Sequence, residues 1–102
     1  MRTEEQIQLD NEERRVVVLF WQNRINEVRE MDLNCADKRL LFAAMQDEAQ
    51  SRLTSTVKAF LTTDDKRPSR GEMEGIVFAY DLVRTAYLAT PPEYDAMGGK
   101  VE

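Results

Sequence analysis

Between Asn34 and Leu61 the apolar residues Phe42, Met45, Ala49, Leu53, Val57 and Phe60 recur at steps of three and four, and Asp47, Glu48, Arg52 and Lys58 fall off that stripe. A 3.6-residue period sustained over this length predicts an amphipathic helix with one buried face. The chain carries no competing long alternation of apolar and polar residues. The run Val16–Phe20 has local β-propensity, but the charged helical sequence on both sides predicts helix there too.

Punctuation divides the chain into three such segments. The first is expected over about 11–31, with Asn11 as N-cap and Glu12 and Glu13 at the positive helix end. Thr3 and Gln6 have the spacing of an earlier capping box. Asp32, Leu33 and Asn34 make a short connector, and the second helix follows over about 35–61 with Asn34 as its cap. The third opens after Pro68 on the capping-box spacing Ser69–Glu72 and runs over about 69–89, stopping where Thr90 precedes Pro91 and Pro92. Short connections favour an up-down-up three-helix arrangement, an all-α single domain over residues 1–90. At ~1.5 Å per residue the second helix would be ~40 Å long against ~30 Å for its neighbours, leaving one of its ends overhanging. Residues 91–102, with Gly98 and Gly99, predict a flexible tail.

Composition narrows the function classes. The 102 residues contain no histidine and a single cysteine. Carboxylate-bridged metal centres of the Glu-x-x-His type are therefore not available, and Asp64–Asp65 lead into Lys66, Arg67 and Pro68, which is not the oxygen-rich pattern of a calcium loop. Cys35 at a helix start has no histidine to serve as its base. Gly71 and Gly75 lack the setting of a phosphate-binding loop, and the acidic pairs Glu12/Glu13, Glu27/Glu30 and Asp47/Glu48 have the spacing of solvated helix faces. The expectation is a non-enzymatic protein with no metal or cofactor. The lone cysteine and a polar, acidic N-terminus, with no apolar run of about 20 residues, predict a cytoplasmic chain that does not engage a membrane.

The net charge of −5 is concentrated at the ends: Glu4, Glu5, Asp10, Glu12 and Glu13 lie near the start, and Glu93, Asp95 and Glu102 near the finish. Lys66, Arg67 and Arg70 form a basic cluster before the third helix, which supports an alternative reading as a small nucleic-acid-associated transcriptional regulator. Glu72 and Glu74 oppose it by placing carboxylates where phosphate contacts would be made.

Surplus apolar surface is the stronger signal. The first helix has the stripe Val17, Val18, Trp21, Ile25 and Val28, with Phe20 beside it, Leu19 pointing away and Val16 between. On the third, Met73, Ile76, Val77, Tyr80, Val83 and Tyr87 make an expected core face, and Phe78 and Leu82 lie roughly opposite. Arg24 and Arg84 fall near these apolar arcs, with Asp81 as a pairing candidate. Helices apolar on two sides are normally covered on two sides. The sequence thus predicts a protein-interaction module: an inhibitor, adaptor or assembly factor of the kind phages and plasmids encode. It would occlude or bridge a protein partner, act as a homodimer, and present Val16, Leu19, Phe20, Phe78 and Leu82 as partner-binding residues.

Overall fold

The computed structural model describes residues 3–62 and 68–90, and these form three helices: α1 Glu4–Glu30, α2 Cys35–Thr62 and α3 Arg70–Ala89. No strand occurs among the described residues. The expected all-α class, three-helix order and connector positions hold. Residues 91–102, expected to form a tail, lie outside the described set.

Capping chemistry sets the boundaries. α1 begins seven residues before the expected Asn11 start, because Thr3 and Gln6 complete a reciprocal capping box. The Thr3 hydroxyl accepts the Gln6 N–H at 3.1 Å and the Gln6 side chain accepts the Thr3 N–H at 2.9 Å. Glu4 and Glu5 then sit in the first turn, where the helix dipole favours them. Asn34 caps α2 by accepting the Asp37 N–H at 2.8 Å, and Ser69 caps α3 by accepting the Glu72 N–H at 2.9 Å. Thr90 ends α3 in extended backbone, as expected for a residue before proline. The longer α1 removes the expected length mismatch with α2: they have 27 and 28 residues, each about 40 Å, while α3 has 20. The overhang at the α3 start is shared by both long helices, and it leaves Ile7, Leu9 and Leu61 exposed.

Asp10 lies against Gly71, and Arg14 and Val17 lie against Gly75, so α1 and α3 run parallel with α2 antiparallel to them. α3 packs along both neighbours, whereas α1 and α2 touch each other only slightly. The third helix is therefore a wedge between the first two, in a molecule of 56 × 24 × 18 Å. Trp21, Ile25 and Val28 from α1, Phe42, Met45 and Ala49 from α2, and Ile76, Ala79, Val83 and Ala86 from α3 make one continuous core.

The buried stripe of α3 differs from the expected one. Val77 is 46% exposed, and Met73, Tyr80 and Tyr87 are half-buried, while Gly71, Gly75 and Ala79 are buried. The reason is the approach of two backbones. A Cβ at residue 71 would overlap the carbonyl oxygen of Asp10 and lie 2.6 Å from its Cα; one at residue 75 would lie 2.9 Å from Cβ of Val17 and 3.1 Å from the carbonyl oxygen of Arg14. Only glycine leaves room for this seam, and α3 turns its small residues toward α1 to form it. The Asp10 carboxylate also accepts the Gly71 N–H at 3.2 Å, giving α3 a second cap from α1.

These contacts fix the sign of two substitutions. In an unhindered helix, alanine in place of glycine gains about 1 kcal/mol. Here Gly71→Ala should instead lose stability, by roughly 1–3 kcal/mol as overpacking against backbone usually does. Gly75→Ala should lose less, since its nearest obstacle is a side chain. Urea denaturation of both variants checks the sign and the order, and a stabilised Gly71→Ala would mean that the two helices stand further apart.

Candidate interaction surface

On the outer side of the glycine seam, α1 and α3 form an open groove of about 670 Å³. Asn11, Arg14, Arg15, Val18 and Leu19 line one wall, and Phe78, Asp81 and Leu82 line the other. Val18 and Leu82 are half-buried, and Leu82 also packs on the core. Leu19 and Phe78, 46% and 55% exposed, project beside them. Of the five expected partner-binding residues, the fold brings Leu19, Phe78 and Leu82 together. Val18, read from the sequence as core, joins them.

Val16 and Phe20 are exposed but do not line this groove. At 100° per residue Val16 falls about 160° from Val18 around α1, and Phe20 falls on the side nearer α2. Phe20 meets Trp21 edge to face at 5.9 Å, and the Arg24 guanidinium lies 5.7 Å from its ring. That guanidinium sits closer still to Trp21, at 4.6 Å, and donates two hydrogen bonds to the Glu48 carboxylate, at 3.0 and 2.8 Å. Arg24 therefore takes Glu48 on α2, and the expected pairing with Asp81 does not form. The stacked, bidentate arginine joins α1 to α2 where their apolar contact is thin.

The groove walls carry ordered charge. Arg14 donates to Glu74 at 3.1 Å and to Asn11 at 2.7 Å, and Glu74 also pairs with Arg70 at 3.3 Å. Arg15 pairs with Glu12 one turn away at 2.7 Å. Asp81 makes no hydrogen bond or ion pair among the described residues. The arginines of the α1 wall are thus already paired with carboxylates beside an apolar centre, and the α3 wall carries the Asp81 carboxylate.

For the alternative reading, Arg70 is held by Glu74, which offsets its charge locally. Lys66 and Arg67 lie outside the described residues. Cys35 is a half-buried first residue of α2. Among the described residues no cluster of acidic or cysteine side chains could hold a metal ion, and no helix is long and apolar enough to cross a membrane. Comparison of the chain with family models, curated protein sequences and solved structures returns no match.

The Arg24–Glu48 pair has a consequence for acid stability. The hydrogen bonds from Arg24 hold the Glu48 carboxyl below its usual pKa, with partial desolvation opposing and the charges of Arg24 and Arg52 assisting. The same hydrogen bonds raise the Arg24 pKa against its own desolvation. A carboxyl depressed in the folded state contributes stability above its ordinary value near 4.5 and loses that contribution as pH falls through the lower folded-state value. Glu48→Gln should therefore reduce stability at neutral pH and flatten the loss of thermal midpoint below about pH 4.5. Since the Glu48 side chain is half exposed, the effect should be modest and shrink with salt. Melting curves from pH 3 to 7 for both proteins test it; parallel curves would show that the pair adds nothing on folding.

Proposed function

We propose that this protein is a non-enzymatic interaction module that docks a protein partner along the α1–α3 groove and so occludes or bridges that partner. The observation that carries the reading is the pairing of Leu19 and Phe78 as exposed apolar groups across a floor of Val18 and Leu82. Covering such groups gains roughly 25 cal/mol for each Å² removed from water, and an aromatic seated in a groove is the usual energetic anchor of a helix-face contact. The flanking charges of Arg14, Arg15 and Asp81 suit a rim that sets orientation. Nucleic-acid association finds less support, because the described arginine of its basic cluster is already paired with Glu74.

Photo-crosslinking in the native host tests the reading. A photoreactive residue in place of Phe78 should give a covalent adduct with a protein, whereas the same residue in place of Leu40, exposed on α2 away from the groove, should not. Leu19→Glu with Phe78→Glu should keep the helical circular dichroism, since both side chains project outward, and should abolish adduct formation from a probe at Val18. Equal labelling from positions 78 and 40 would overturn the proposal.

A further inference from the structure

We infer that the outer face of α3 is a homodimer contact, made with α3 of a second copy of this chain running antiparallel about a two-fold axis. It lies beside the α1–α3 groove and stands independently of what docks there. The face follows from the rotation of α3. Gly71, Gly75, Ile76, Ala79, Val83 and Ala86 are buried. At 100° per residue their mean direction points about 180° away from that of Val77, Asp81, Arg84 and Leu88. Those four are all exposed and follow one another at steps of four, three and four, the spacing of a helix–helix seam. Phe78 and Leu82 lie about 100° and 140° around the helix from Val77, on the flank that walls the groove.

Charge decides the occupant. Earlier on the same seam, Arg70 and Glu74 already pair with each other at 3.3 Å. Asp81 and Arg84 make no hydrogen bond or ion pair among the described residues, with each other or with a neighbour, and apolar Val77 and Leu88 flank them. A two-fold axis perpendicular to α3, in the plane of the contact, sets this face against itself with the chain reversed, so the contact is isologous and closes at two copies. Three registers bring seam residues level across that axis. One sets Arg70 against Asp81 but Glu74 against Val77. Another sets Glu74 against Arg84 but Val77 against Asp81 and Arg70 against Leu88. The third, with the axis level with the midpoint of Leu82 and Val83, sets each Asp81 against Arg84 of the other copy and each Val77 against Leu88. It alone matches every position it brings together. The axis then passes about 2 Å from the level of each charge and about 8 Å from each apolar residue, so two apolar pairs enclose a double ion pair. Parallel chains would instead set Asp81 against Asp81 and Arg84 against Arg84. The contact is about 17 Å long and about 10 Å wide, well below the roughly 800 Å² per partner of a standard interface, so the dimer is weak and concentration-dependent.

Sedimentation equilibrium of the purified full chain from about 10 μM to about 1 mM tests the inference, with circular dichroism as the folding control. The mass should rise from the 11.8 kDa of one chain toward twice that value. Asp81→Arg and Arg84→Glu should each raise the dissociation constant about tenfold or more, since each brings like charges together. Both should keep the helical circular dichroism, because both side chains are exposed. An equimolar mixture of these two variants should associate again, because the cationic seam of one complements the anionic seam of the other. Val77→Lys and Leu88→Glu should each weaken the dimer, and their combination should recover it. Reversed chains bring the two introduced charges together, whereas parallel chains would set each against its own copy. A wild type that stays monomeric to about 1 mM overturns the inference. So does a dimer that tolerates either charge reversal, a mixture that fails to associate, or a Val77/Leu88 double variant weaker than both single ones.

Discussion

The contact between the α1 and α3 backbones at Gly71 and Gly75 governs the rest of the molecule. It sets the rotation of α3, because a helix whose glycines lie against a neighbour cannot also bury the residues on its far side. Once Gly71, Gly75 and Ala79 face the seam, Ile76 and Val83 fall toward α2 and fill the core with Phe42, Met45 and Ala49. The same rotation places Phe78 on the flank of the seam, too large to enter it and close enough to α1 to form a wall with Val18 and Leu19. One steric condition therefore generates both the core and the groove.

That dependence explains what could be read from residue types alone. The α2 stripe was legible because its apolar residues recur at steps of three and four, and Phe42, Met45 and Ala49 are buried where the period puts them. The orientation of α3 was less legible. Ranking its faces by apolar size favours Val77, Tyr80 and Tyr87, whereas the packing partner selects for absence of side chain, and glycine has no hydrophobic weight. The four-residue spacing of Gly71, Gly75 and Ala79 was the available signal. For the groove, Leu19, Phe78 and Leu82 were legible as apolar residues away from the core. Val16 and Phe20 share that property but not the direction, which depends on where α3 sits against α1. The α1 start was ambiguous between two cap sequences, and the reciprocal bonds at Thr3 and Gln6 decide it.

Polar contacts hold the wedge at the places where apolar packing ends. Arg39 stacks on Tyr87 at 4.4 Å and donates to the Thr90 carbonyl at 2.6 Å, tying the start of α2 to the end of α3. Lys38 donates to the Arg29 carbonyl at 2.7 Å and so satisfies a terminal acceptor of α1. At the opposite end, Asp10 and Ser69 supply the α3 start with two acceptors from different parts of the chain. A helix of 20 residues lying between two longer ones is thereby fixed along its axis at both ends, and sliding by one turn would break both the Arg39–Thr90 and the Asp10–Gly71 bonds.

The two sides of α1 are finished in different ways, and that asymmetry bears on function. Toward α2, the shallow contact between long helices is bridged by Arg24, whose guanidinium covers Trp21, lies 5.7 Å from the exposed Phe20 ring and engages Glu48. The Trp21 ring there is shielded by a side chain of the same molecule, with the charge left at the water boundary. On the outer side, toward the α3 flank, Arg14 and Arg15 turn to Glu74, Asn11 and Glu12. Leu19 and Phe78 there have no such cover. Apolar groups left open to water, as Leu19 and Phe78 are beside the groove, cost solvation free energy that a partner of matching shape and charge would recover.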